Sequence, residues 1–165
     1  MKKFLGTLCS FVAAALAFVF LSLPALNLKD KVLGTTDTIS GWQLLSDDYK
    51  NVNGFYLYKV FAIVLLVVAG LLIISGILLL LKNFGKLKLN ANLSLFNNIL
   101  LSLFALSAVV TLVGAFVFAG DATNALIGYA AGIGPWLNSA FGLALCLCGW
   151  FFANKDTKKK SRKRK

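Results

Sequence analysis

The sequence predicts an all-α integral membrane protein in which four transmembrane helices form an antiparallel bundle, with a short exofacial segment between helices 1 and 2. Of its 165 residues, 59% are hydrophobic and only 14% are charged, whereas soluble domains have about 45–50% and 25%. Four apolar runs can each cross a bilayer core of about 30 Å. They give predicted spans at about 4–26, 57–81, 93–119 and 134–153. Basic residues cluster at one end of these spans.

The first span follows two lysines and has a secretory signal peptide as its competing interpretation. Its apolar run is longer than the about 7–15 residues of a signal core. The best cleavage pattern, at Ala15 and Ala17, would leave a chain that starts at Phe18. We therefore expect an uncleaved helix. Cys9 does not indicate a lipoprotein, because the preceding Leu8 is not small.

The second span sets the expected orientation. Residues 60–81 carry no charge, and Lys82, Lys86 and Lys88 follow closely, which is typical of the cytoplasmic side. With both termini cytoplasmic, 13 Lys and Arg lie inside and 4 outside, while 5 of the 6 Asp lie outside. The sequence thus predicts a multi-pass protein of the cell membrane with its N- and C-termini in the cytoplasm.

The exofacial segment, residues 27–55, has two predicted structures. Ser40 and Gln43 have the spacing of a capping box, which favours a short interfacial helix that starts near Trp42. Alternatively, residues 32–38 and those around Trp42 favour strands and could pair as a hairpin. Both alternatives stay open at this stage.

The third and fourth spans are bounded by polar or helix-breaking residues. Asn90 or Asn92 is a candidate N-cap for the third, and Pro135 suits the first turn of the fourth. The small-residue stretch 128–134 between them predicts a turn or, alternatively, a helix that is kinked at Pro135. Its G-x-x-x-G pattern at Gly128 and Gly132 also allows a dimer contact, the less favoured interpretation.

Small residues recur on one face of each predicted helix at about 100° per residue. Such stripes let helix backbones approach closely where lipid supplies no driving force for association. We therefore predict close helix packing along them. The candidate packing residues are Gly6, Ser10, Ala13, Ala17, Ala62, Ala69, Gly76, Ala108, Ala115, Asn138, Gly142, Cys146 and Gly149.

The sequence contains no pattern that indicates a catalytic, cofactor-binding or metal site. It has no His, and its cysteines, Cys9, Cys146 and Cys148, have neither zinc-ligand nor C-x-x-C spacing. The predicted spans contain no charged residue at mid-membrane depth, which argues against an ion or proton path. We therefore expect a protein that is not an enzyme and needs no cofactor.

The tail, residues 155–165, carries eight basic residues against one Asp. It is expected to be disordered and cytoplasmic, and either to fix topology alone or also to bind anionic lipid headgroups. Nucleic acid is a disfavoured partner, because no aromatic residue interleaves the tail. The candidate lipid contacts are Lys158, Lys159, Lys160, Arg162, Lys163, Arg164 and Lys165.

Four spans, a larger first loop and the Gly41-Trp42 pair in that loop resemble the layout of the claudin-type tetraspan proteins. The resemblance covers topology. That family has a Cys pair around its tryptophan motif and this loop has none, so a sealing role is not implied. We expect instead a bacterial accessory or envelope-associated subunit with an unidentified membrane partner. The alternative is a channel, transporter subunit or holin-like protein.

Overall fold

The computed structural model describes residues 2–85 and 92–162, with side chains at 4–46, 48–85 and 92–151. This part of the chain is mostly helical and contains four helices that are long and apolar enough to span a membrane, so that part of the fold prediction is confirmed. The helices are α1 (Lys2–Ser22), α2 (Phe55–Asn83), α3 (Leu93–Ala122) and α4 (Ile133–Arg162).

A three-stranded antiparallel sheet lies at one end of the helices, here called the sheet end. Its strands are β1 (Pro24–Asp30), β2 (Thr36–Ser40) and β3 (Ile127–Ala131), in the order β2-β1-β3. Asn27 in the central strand pairs with Thr38 on one side and with Ala130 on the other. The sheet therefore joins the α1–α2 connection to the α3–α4 connection, a feature that the sequence analysis does not predict.

The first helix is shorter than predicted, because α1 ends at Ser22 and not near residue 26. Pro24 has no N–H to donate and disfavours helical geometry at Leu23. The apolar residues after it, Ala25 and Leu26, belong to β1 and are fully buried. Hydropathy alone cannot separate such a buried strand from the end of a helix.

The connection between β2 and α2 combines parts of both predicted structures. Ser40 N–H donates to Gln43 Oε1 at 2.8 Å, and Gln43 N–H donates to Ser40 Oγ at 3.3 Å, which is the predicted capping box. It opens only a 3-10 turn, Gln43–Leu45, and a second one follows at Asp47–Tyr49. A hairpin also forms, but it pairs β2 with β1 and not with the residues around Trp42.

The stretch before α4 is a strand, and neither the predicted turn nor the predicted kinked helix describes it. β3 pairs with β1, and Gly132 N–H then donates to Ala25 O at 2.7 Å. A Cβ at Gly132 would collide with the carbonyl of Pro24, so the close crossing requires glycine. The G-x-x-x-G pattern therefore lies on a strand. Pro135 does lie in the first turn of α4.

The helices pack α1 on α2 and α4, and α3 on α2 and α4. Two apolar clusters fill the interior. One surrounds Ala13, Leu65 and Phe104 in the middle of the helices. The other lies at the sheet end, where Leu26 and Ile39 of the sheet pack in one cluster with Phe118 of α3. The sheet and the helices therefore share a core.

The last helix is longer than predicted, since its backbone stays helical through residues 155–162, where we expected a disordered tail. Lys and Arg are good helix formers and can extend an existing helix. Residues 163–165 lie outside the described part of the chain. At the start of α3, Asn92 occupies the N-cap position without a side-chain cap bond, and Asn90 lies outside the described residues.

Candidate functional site

The β1–β2 turn displays two aliphatic side chains at the sheet end. Val32 and Leu33 are 72% and 76% exposed. Asp30 Oδ1 accepts the backbone N–H groups of Val32 at 2.8 Å and Leu33 at 3.0 Å. These hydrogen bonds, led by that of Leu33, hold the pKa of Asp30 below its ordinary value, because they stabilise the carboxylate. The aliphatic tip, Val32 and Leu33, is therefore displayed on an ordered turn.

Lys31 connects this turn to the second connection at the sheet end. Its Nζ donates to Asn124 O at 2.6 Å, and its backbone N–H donates to Leu126 O at 2.8 Å. Leu126, the residue directly before β3, is also exposed. A third aliphatic side chain therefore lies near the tip. The exposed apolar surface at this end thus comes from two chain segments that are distant in sequence.

The Gly41-Trp42 pair anchors the first connection to the helices. A Cβ at Gly41 would lie 2.7 Å from the Tyr58 hydroxyl and 2.9 Å from Leu21 O. Trp42 donates its backbone N–H to Leu21 O at 3.1 Å and its Nε1–H to Ser22 Oγ at 3.1 Å. The Gly41-Trp42 pair therefore fixes the first connection to α1 and α2.

A second anchor holds the start of α2 against α3. Gly54 has a φ of 82°, which favours glycine. A Cβ at Gly114 would lie 2.8 Å from the backbone N of Tyr58, so α2 and α3 touch through their backbones here. Asp121 accepts the backbone N–H of Asn53 at 2.9 Å and its side-chain amide at 3.0 Å. The sheet end is thus held rigidly to the helices.

Asn97 forms the centre of a buried hydrogen-bond network between three helices. Its Oδ1 accepts the Ser10 hydroxyl at 2.8 Å and the Ser75 hydroxyl at 2.9 Å. Its Nδ2 lies 3.5 Å from Gly6 O. The network links α1, α2 and α3, and it satisfies polar groups that would otherwise cost free energy in a dry interior. Neither Asn97 nor Ser75 is among the packing residues predicted from the sequence.

A related chain of contacts joins α3 to α4. Trp150 Nε1–H donates to Ser102 Oγ at 2.9 Å, and Ser102 Oγ lies 3.4 Å from Cys146 Sγ. In the other half of this helix pair, Ser139 Oγ donates to Ala108 O at 3.2 Å. These hydrogen bonds join hydroxyl, indole, thiol and carbonyl groups, and they hold α3 against α4.

A small cavity separates the two apolar clusters. Residues from all four helices line it, among them Tyr58, Leu65, Thr111 and Asn138. Asn138 Oδ1 is buried and has no hydrogen-bond partner among the described residues. Thr111 Oγ1 donates to backbone carbonyls of its own helix, Ala108 O at 2.8 Å being the nearer.

The predicted packing residues lie mostly inside the helix layer. Gly6 and Cys146 are half-buried, and a Cβ at Gly6 would meet open space. A Cβ at Gly142 would lie 3.4 Å from Ala105 Cα, and one at Gly149 would lie 2.7 Å from a methyl group of Leu101. The buried members are Ser10, Ala13, Ala17, Ala62, Ala69, Gly76, Ala108, Ala115, Asn138, Gly142 and Gly149.

Tyr49 also has a perturbed pKa at the sheet end. Burial raises the pKa of its hydroxyl, with smaller contributions from Tyr129, Asp48 and Asp37. Its ring meets Phe118 edge to face at 5.8 Å. In the part of the chain that the structure describes, no group of three or more His, Cys or Asp side chains could hold a metal ion.

The predicted lipid contacts of the tail cannot be placed as side chains. Lys158, Lys159, Lys160 and Arg162 lie on the helical backbone of α4 but outside the described side chains. Lys163, Arg164 and Lys165 lie outside the described residues altogether. Their role therefore stays a prediction.

The described fold defines a mostly helical protein with four helices that are long and apolar enough to cross a membrane, joined at one end by a small sheet. No protein-family model matches this chain, and a comparison with curated proteins finds no match. What the protein does must therefore be argued from its own surfaces.

Proposed function

We propose that this chain is a non-enzymatic multi-pass membrane protein that binds a partner protein through the aliphatic tip at its sheet end. The observation that carries the proposal is the exposure of Val32 and Leu33 on a turn held by the Asp30 carboxylate. A pre-ordered apolar surface loses little conformational entropy when it binds. Val32, Leu33 and Leu126 are exposed on two chain segments that hydrogen-bond to each other, and neighbouring exposed apolar side chains of this kind often mark a binding site.

The proposed orientation places the sheet outside the cell and both termini in the cytoplasm. Five of the six Asp lie at the sheet end, four of them in the first connection and Asp121 in the last turn of α3, whereas Lys82 lies at the other end of α2 and is followed in the sequence by Lys86 and Lys88. This distribution follows the positive-inside rule. In this arrangement the four helices run antiparallel through the bilayer. Reporter fusions at Thr123 and Lys165 should report an outside and an inside location, respectively.

The interior supports an accessory role better than a transport role. Among the side chains that the structure describes, none of the buried ones is charged. The polar groups of Ser10, Ser75 and Asn97 hydrogen-bond to one another between the helices. A solute path would instead require polar groups that are free to contact the solute. Ala, Leu and aromatic side chains make up most of the two apolar clusters, and the cavity between them is small. Solute flux in proteoliposomes of the purified protein would contradict this proposal.

Site-specific photo-crosslinking in native membranes tests the partner contact. A photoreactive residue at Val32 or Leu33 should give one discrete adduct of higher mass. The matched control is Asn51, which is also exposed in the first connection but polar, and it should give none. The proposal fails if Val32 and Leu33 give no adduct, or if Asn51 gives the same one.

A further inference from the structure

The structure assigns a binding site for a single water molecule to the cavity between the two apolar clusters, with Asn138 as its main acceptor. The space open to the centre of a water molecule is about 10 Å³. One bound water requires roughly 10–15 Å³ on this measure, and engineered apolar cavities that bind benzene are far larger. The size therefore fits water and excludes a lipid chain or a drug-sized ligand.

Asn138 supplies the polar group that such a water needs. The residue is only 4% exposed, and its Oδ1 has no hydrogen-bond partner among the described residues. Asn97 is buried to a similar degree, yet its Oδ1 accepts two hydroxyl groups. Buried carbonyl oxygens in folded proteins almost always have a partner, either protein or ordered water. Asn138 is one of the residues that line the cavity, and we infer that a water there donates to its Oδ1.

Two further groups on the cavity wall can complete the coordination of the water. The Thr111 hydroxyl hydrogen is directed to carbonyls of its own helix, so its oxygen still has a lone pair to accept from the water. Gly134 lies in the first turn of α4, where backbone N–H groups have no partner within the helix. The water would then link α3 to α4 at the level where the apolar clusters separate.

The site can be tested by NMR on the full-length protein in deuterated detergent micelles. A rotating-frame water–amide cross-peak is expected at the Asn138 side-chain amide. It should be absent at the Asn97 side-chain amide, whose carbonyl is already bonded to two serines. Thr111→Val, which preserves shape but removes the second acceptor, should weaken the Asn138 cross-peak several-fold.

Asn138→Leu gives a second, independent measurement. It replaces the amide with an apolar group of similar size, so the Thr111 hydroxyl should lose its water contact while thermal stability is unchanged or higher. The inference is overturned if the wild-type protein shows no water cross-peak at Asn138. It is also overturned if that cross-peak is equally strong in Thr111→Val, because the water detected would then lie elsewhere.

Discussion

Replacing Gly114 with alanine should destabilise the contact between α2 and α3. The added Cβ would lie 2.8 Å from the Tyr58 backbone N and 3.0 Å from its Cα. These atoms cannot rotate away, because the Tyr58 N–H donates to Gly54 O at 2.9 Å in the first turn of α2. The helices must therefore move apart. The turn at Gly54, directly before α2, has a φ of 82° and cannot easily adjust to that movement.

The magnitude follows from two opposing effects. Overpacking a close contact costs about 1–3 kcal/mol, whereas alanine gains up to about 1 kcal/mol over glycine in a helix interior. Gly70→Ala is the matched control, since it lies inside α2 and its Cβ would meet nothing within 4 Å. Helix propensity contributes to both variants alike. Gly114→Ala should therefore be about 1–3 kcal/mol less stable than Gly70→Ala.

Reversible unfolding by SDS titration in mixed micelles gives this difference directly. The wild-type protein should lie between the two variants or level with Gly70→Ala. If Gly114→Ala and Gly70→Ala unfold at the same SDS fraction, the backbone contact between α2 and α3 does not limit stability, and the argument from close approach is refuted.

Three further outcomes are expected. Asn97→Ala should cost about 1–3 kcal/mol in the same assay, because two buried hydroxyls lose their acceptor. Leu103→Ala, on the exposed face of α3, should cost clearly less. Since the pKa of Asp30 is lowered in the fold, its stabilisation of the turn is complete above the ordinary carboxyl pKa of about 3.9 and is lost as pH falls through the folded value. The protection of the Leu33 amide, measured as its exchange rate relative to the intrinsic rate at the same pH, should therefore fall as the carboxylate is protonated, and Asp30→Asn should remove this change in protection. Binding of a 155–165 peptide to anionic vesicles should weaken from 0.1 to about 1 M salt and survive scrambling; binding that resists salt would contradict lipid attraction.

Long apolar runs made the four helices predictable, because a helix that crosses a bilayer must be almost free of charge. The strands were not predictable in the same way. Ala25 and Leu26 of β1 continue the hydropathy of α1, and only Pro24 marks the change. In β3 only Ile127 and Tyr129 favour a strand, between glycine and alanine residues, and the strand forms where β1 offers a free edge.

The sequence indicated which face of each helix is buried, but not which residues of two helices touch each other. Periodicity put Ala13 and Ala108 on interior faces, where both are fully buried. It could not show that Gly114 would touch the backbone of Tyr58, or that Ser75 would reach Asn97. Such pairings depend on the relative height and rotation of two helices, which a single helical wheel does not contain.

The position of β1 in the middle of the sheet also sets an order of events during synthesis. Its first partner, β2, follows it directly, but β3 is made roughly 100 residues later, which takes about 5–20 s at ribosomal speed. During that interval one edge of β1 is unpaired, and the nascent hairpin is open to foreign strands or chaperones. Because α4 directly follows β3 in the chain, the packing of α4 against the other helices is coupled to the closure of the sheet.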